Sequence, residues 1–289
     1  MKKLFIVSIS LITLGNLNGQ VEQKSLPGAE EISNRRTSFN LDEIKVRWKK
    51  AALENCTGAP CAGGASFTCG TSTVADIDGN TYNTVLIGTQ CWTKSNLKVT
   101  KYNDGTNIPL DATGGPTGFS ATGGWYALTT GARTVYEHDN NNLNVYGYLY
   151  NHYAVLDSRK ICPSGWHVPS DSEWNTLMIA IDPTGSTSPF SSGAAVSLIA
   201  GGKMKSTTLW NSPNTGADNS SGFSALPSGV RGYHGFQNKG NLTKFWSTTL
   251  YPGSINDIST RGGFEYNNSG MFWDYVQPPT GLPIRCLKD

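Results

Sequence analysis

One segment does most to constrain this chain: Cys162-Pro163-Ser164-Gly165-Trp166-His167-Val168-Pro169-Ser170-Asp171-Ser172-Glu173-Trp174. Ser170 and Glu173 form a capping box, in which each side chain satisfies a backbone N–H that the first helical turn leaves open. Trp174, Leu177, Met178 and Ile181 then share one helical face. A helix over 171–181 is expected. It is nearly alone, because the rest of the sequence is punctuated by Gly, Asn and Ser. From Ser206 onward helix signals vanish, and short aromatic strands separated by turns take over.

The chain begins as exported proteins do. Lys2 and Lys3 precede an apolar run, Leu4 to Leu14, and small and polar residues follow. The run is too short to span a bilayer, so residues 1–19 are expected to be a signal peptide ending at Gly19. No later segment reaches the ~20 apolar residues of a spanning helix. Charged residues are 15% of the chain, against about 25% in an average soluble domain, and the net charge of +2 leaves no electrostatic footprint for nucleic acid. A secreted, periplasmic or cell-surface location is expected.

Six cysteines in such a chain read as disulfides. Cys56, Cys61 and Cys69 cluster early, whereas Cys91, Cys162 and Cys286 are spread out. The sequence alone does not choose among the possible pairings. None of the Cys and His spacings suits zinc, so no metal or cofactor is expected.

Residues 20–68 read as a polar leader, a short helix over about 40–54 capped by Asn40 and Glu43, and a Gly/Ala/Pro linker; the domain proper covers 69–289. Val74–Ile77 and Thr81–Ile87 flank a hairpin turn at Asp78-Gly79. Asp76 to Asn80 looks like the start of a calcium loop, but Ile87 stands where an EF-hand needs its glutamate, so the hairpin reading is preferred. A second turn is expected at Asn103-Asp104-Gly105, and residues 106–145 as long surface loops. Tyr146 to Val155 reads as a strand running into a short helix. A further helix is expected over 194–199, stopped by Gly201-Gly202. Later strands are expected at 245–249, 263–266, 271–275 and 282–287.

Several separated motifs resemble, in order, the Fibrobacter succinogenes major paralogous domain family: Ile87 to Leu97, Tyr146 to Asn151, Cys162 to Trp174, Ala200 to Ser206, Ser221 to Pro227, Phe245 to Thr248 and Arg285 to Asp289. The sequence departs from the family at Leu282-Pro283-Ile284. That family is in turn distantly similar to the formylglycine-generating enzyme and C-type-lectin-like fold. The resemblance implies one α+β domain with few short helices, small twisted antiparallel sheets and long loops. It also implies a C-terminal strand close to the early strands, which fits a Cys162–Cys286 bridge, with Cys69–Cys91 and Cys56–Cys61 as the remaining pairs. The enzyme's copper-holding cysteine pair has no counterpart, because only Cys286 follows Cys162, so that activity is not implied.

No catalytic grouping emerges. His138, His152, His167 and His234 form no motif, and His167 is expected to be a satisfied core residue. Glu137, Asp139 and Asp274 are isolated carboxylates. Gln277-Pro278-Pro279 and Trp273-Asp274 lack the residues of a calcium-dependent sugar site, so Ca2+ is not expected. What remains is a surface rich in rings and amides: Trp246, Tyr251, Asn256, Asp257, Arg261, Tyr266, Asn267, Asn268, Trp273 and Tyr275. Rigid aromatics with adaptable polar groups make good contact surfaces. The expected function is a non-enzymatic module that binds a glycan or protein through these C-terminal loops. The alternatives are a polysaccharide hydrolase and a structural envelope component docked by the 40–54 helix.

Overall fold

The computed structural model describes residues 66–112, 124–187, 194–250 and 258–289. The signal peptide, the leader with its helix, and the Cys56–Cys61 pair fall outside them. Strands β1 (Thr73–Ala75) and β2 (Thr81–Ile87) form the expected hairpin. Its turn is closed by Asp76, whose carboxylate accepts from the N–H groups of Asp78 and Asn80 and from the Tyr82 hydroxyl at 2.6 Å. An acid engaged in this way is a turn former, as the hairpin reading requires. β2 turns Tyr82 and Thr84 inward from one face and buries Ile87 from the other, where Val85 packs on the aromatic core.

β3 (Gln90–Thr93), β6 (Trp166–His167) and β13 (Leu287–Lys288) complete a five-stranded antiparallel sheet in the order β1-β2-β3-β13-β6. Leu287 pairs with Trp92 on one side and His167 on the other, so the chain's end lies between two earlier strands. That placement brings Cys162 to Cys286, with Cα atoms 5.9 Å apart in the disulfide, and Cys69 is bridged to Cys91 at 5.8 Å. Only the end of the expected last strand is extended into the sheet. Upstream of it, Arg285 turns inward and Leu282 bridges to Tyr150.

A second sheet has the order β10-β11-β12-β7, from β10 (Leu242–Leu250), β11 (Ile258–Glu265), β12 (Met271–Val276) and β7 (Ala195–Ser197). Two hairpin-sized sheets pair β4 (Arg133–Thr134) with β5 (Leu149–Tyr150) and β8 (Val230–Gly232) with β9 (Gly235–Gln237).

The helices are α1 (Asn140–Tyr146), α2 (His152–Val155), α3 (Asp171–Ile181) and α4 (Ala200–Met204). α3 starts and ends where its capping box and periodicity predict: Glu173 accepts from the Ser170 N–H at 2.7 Å, and Trp174, Leu177 and Met178 are fully buried. Trp174 packs against Trp92, Phe223 and Phe245, with ring centroids 4.8–5.9 Å apart, making an aromatic core beside the core that holds the disulfides.

Three expectations are corrected. The helix expected at 194–199 is strand β7 followed by α4. Pairing of β7 with β12 overrides the local helix preference, and the Ser197 hydroxyl accepts from the N–H groups of Ile199 and Ala200 at the start of α4. Gly201 and Gly202 do not stop a helix; they form its interior, because a Cβ on either would meet the backbone of Gly270 at 1.8 Å or Gly216 at 2.3 Å. The 106–145 stretch is more than surface loop. Ile108, Ala132, Val135 and Tyr136 are buried, and Asp139 caps α1 by accepting from Asn141 N–H. That helix lacks an apolar stripe, which hid it.

Candidate binding cleft

The expected contact residues that are described do not share one exposed surface. Trp246 and Trp273 are each 1% exposed: β10 is covered on both faces at Phe245, Trp246 and Ser247, and β12 turns Met271 and Trp273 inward. Trp246 donates its indole N–H to the Tyr150 carbonyl at 2.7 Å and is a core residue. Tyr266 is half-buried against the aromatic core. Asn268 turns its side chain onto the Gly270 N–H and gives its carbonyl to Lys205. Asn267 and Tyr275 are exposed, Tyr275 at 37%. Tyr251, Asn256 and Asp257 lie outside the described residues, as does the Arg261 side chain. His167 is likewise not a core residue. It is partly exposed and lies between Glu173 at 2.8 Å and Asp289 at 2.5 Å, because strand β6 places it at the sheet's edge beside both the α3 cap and the C-terminal strand.

A cleft of about 550 Å3 opens instead between residues 107–109, residues 129–131, α2 and the loop that follows it, with Leu250 and Pro278 closing one side. Asn151 holds two of these walls together. Its side-chain oxygen accepts from Ala132 N–H at 3.0 Å and Ala154 N–H at 3.1 Å, and its amide donates to the Thr130 carbonyl at 2.8 Å. Gly131 is glycine because the Tyr102 hydroxyl occupies the place of its Cβ, 1.9 Å away. The Tyr102 ring in turn carries the Arg159 guanidinium over its face at 4.2 Å.

The cleft's chemistry is mixed. Thr129, Thr130 and Asn107 offer hydrogen-bonding groups, whereas Tyr153, Leu156, Leu250 and Pro278 offer apolar surface. Asp157 is the one carboxylate among the described residues that line it, and Arg159 holds it at 2.8 and 2.6 Å in a fork. Those contacts keep the Asp157 pKa below the usual carboxylate range. His152 forms the floor, 1% exposed, with Nε2 donating to the Ser247 carbonyl at 3.1 Å and its ring against Trp246. Burial pushes its pKa down to about 4, so it is neutral at pH 7 with this nitrogen already engaged.

The carboxylates considered for hydrolysis lie apart from the cleft lining. Glu137 and Asp274 pair with Lys239 and Lys244, and Asp139 caps α1. Among the described residues no group of His, Cys, Asp and Glu could hold a metal ion, and no helix is long and apolar enough to cross a membrane. Sequence reasoning missed Tyr153, Asp157 and Arg159. Their signal was only an ordinary Tyr-Ala-Val-Leu-Asp-Ser-Arg run after the aromatic segment.

No curated protein and no solved structure matches the chain, so the wider likeness to lectin-type and formylglycine-enzyme folds stays an expectation. The architecture itself is α+β, with short helices and small antiparallel sheets. A family profile spans most of the described domain, including both disulfides' later cysteines, the capped helix and the cleft's α2 wall. By that match over residues 85–288, the chain belongs to the Fibrobacter succinogenes major domain family.

Proposed function

We propose that this chain is an exported binding module that holds its ligand in the cleft and performs no covalent chemistry there. The cleft lining carries this reading: hydrogen-bonding groups and apolar side chains face an open space in which the one carboxylate among the described lining residues is already ion-paired. A glycoside hydrolase needs two carboxyl groups about 5–10 Å apart across its substrate, and His152 is too buried to act as a base near neutrality. Two disulfides suit an oxidising compartment.

The test is binding of the disulfide-intact protein to glycan and protein arrays, with Tyr153→Ala and Leu250→Asp as cleft variants. The expected result is a defined set of ligands bound by the wild type and lost in both variants. Arrays that stay blank, or ligands retained by both variants, overturn the proposal.

A further inference from the structure

A second feature adjoins the cleft. Tyr126 and Tyr233 meet edge to face with ring centroids 5.1 Å apart, and the Tyr126 hydroxyl donates to Gln277 Oε1 at 3.0 Å. Tyr233 is 42% exposed at the tip of the β8–β9 hairpin, where His234 packs on it. Most other large rings of the described residues are buried, whereas this pair keeps Tyr233 exposed and Tyr126 half-buried.

It is also rigidly mounted. Trp125 and Phe236, the anchors beside the two tyrosines, sandwich the Arg231 guanidinium at 5.0 and 4.7 Å. Arg231 is itself buried, ion-paired to Asp111 at 3.0 Å and hydrogen-bonded to Thr134 at 3.0 Å. Two short connections tie the pair to the cleft. Gln277 precedes Pro278 of the cleft wall, whose carbonyl accepts from His152 N–H. Tyr126 precedes Thr129 by three residues, a span of at most about 11 Å.

We propose that the Tyr126–Tyr233 pair is a second subsite, and that the ligand is an uncharged oligosaccharide running from the cleft across Gln277 and Pro278 onto these rings. The proposal rests on the cleft reading above. Ring faces beside a side-chain amide fit a sugar, which offers a C–H face and peripheral hydroxyls. The charges around both subsites point to a neutral ligand, since Asp157 is paired with Arg159 and Asp111 with Arg231.

Calorimetric titration with uncharged glucose-, xylose- and mannose-based oligosaccharides, from disaccharide to hexasaccharide, tests this, with uronate-containing chains and a protein array alongside. Affinity is expected to rise with chain length for a neutral series. Tyr233→Ala, at an exposed hairpin tip and checked for native near-UV dichroism, should weaken the hexasaccharide about tenfold, the loss of one contact ring worth roughly 1–2 kcal/mol. It should leave the disaccharide unchanged, whereas Tyr153→Ala should weaken both. If Tyr233→Ala leaves the hexasaccharide unchanged while Tyr153→Ala abolishes binding, the subsite is wrong and the cleft reading stands. Preference for uronate chains, or cleft-dependent binding of proteins with glycans blank, also overturns the subsite alone. Blank titrations and a blank array overturn both.

Discussion

Replacing Arg285 by methionine isolates the interaction on which the C-terminal tie depends. Arg285 is 1% exposed and has no carboxylate partner. It donates instead to Asn96 Oδ1 at 2.7 Å and to the carbonyls of Thr93, Phe223 and Ser224 at 2.8–2.9 Å, and its plane lies over Phe223. Two effects oppose each other on removing it. Four acceptors lose their donor, at about 1 kcal/mol each toward the low end for buried polar groups, or roughly 4 kcal/mol. The desolvation cost of a buried cation is relieved, but relaxation limits that gain once the loops have been built around the charge. The acceptors should dominate, giving a net loss of about 3 kcal/mol, within the range measured for breaking buried charged networks. With a urea m-value of about 2 kcal/mol/M, the denaturation midpoint should fall by about 1.5 M under non-reducing conditions. Arg285→Lys supplies the discriminating control. It keeps the charge but offers fewer donors on an unforked stem, so it should fall between wild type and Arg285→Met. A methionine variant as stable as wild type, or more stable than the lysine variant, would show that charge burial outweighs the acceptors and that the reasoning is wrong.

Other perturbations probe separate parts of the fold. The paired change Cys162→Ser and Cys286→Ser opens a bridge between residues 124 apart in sequence and should cost about 4–5 kcal/mol by the loop-entropy relation, read from urea midpoints; a change under ~1 kcal/mol would refute it. Gly201→Ala drives a methyl into the Gly270 carbonyl, a backbone obstacle, and should destabilise by about 3 kcal/mol or leave no folded protein to purify, while Gly79→Ala, with open space around it, should be tolerated better in the same expression trial. The two histidines should act in opposite senses with pH. Burial depresses His152 to about 4, so its contribution is full above the unfolded value of about 6.5 and is lost as pH falls from there; His152→Gln should flatten the acid limb of a Tm–pH curve. Burial opposes the charged His167 ring, but its hydrogen bonds to Asp289 and Glu173 prevail and raise its pKa. Its contribution is therefore present below about 6.5 and lost as pH rises through the raised value, so the Tm gap between wild type and His167→Gln should narrow on the alkaline side. A gap that widens there would contradict the assignment.

The parts legible in the sequence were those specified locally. Ser170 and Glu173 fix a helix start through adjacent backbone, and Asp78-Gly79 closes a hairpin by chain geometry. The resemblance supplied the long-range Cys162–Cys286 contact. The burial of Trp246 and Trp273 was not legible for a physical reason: Phe245, Trp246 and Ser247 are consecutive and all buried, with Phe245 in one core and Trp246 in the other, and nothing within a strand says how many of its faces the rest of the chain covers. Trp246 and Trp273 therefore looked like surface anchors. The cleft was invisible because its walls come from separate segments spread along the chain from Asn107 to Pro278, and Asp157 and Arg159 have significance only beside Tyr102. His167 could not be assigned because one of its two acidic partners, Asp289, reaches it only when β13 inserts next to β6.

A loop-rich interior leaves many carbonyls without ladder partners, and this domain answers them with side chains. Lys205 is fully buried and donates to the carbonyls of Thr215, Glu265 and Asn268 at 2.8–3.0 Å, and Arg285 does the same beneath Phe223. Asn96, Asn103, Asn142 and Asn151 donate their amides to the carbonyls of Tyr146, Cys162, Tyr136 and Thr130 at 2.8–2.9 Å. Buried backbone groups must be satisfied wherever regular structure does not satisfy them. An Asn- and aromatic-rich composition is therefore what this architecture requires in its interior, and it cannot by itself mark a contact surface. Exposure is what separates the two uses. Rings that fill the core are buried, and Tyr150, Trp174, Trp210 and Trp246 turn their polar atoms onto carbonyls, whereas Tyr233 and Tyr153 are turned outward on mounts that the core holds still. A binding site in this fold should be sought where the interior's own building materials reach the surface on such rigid supports.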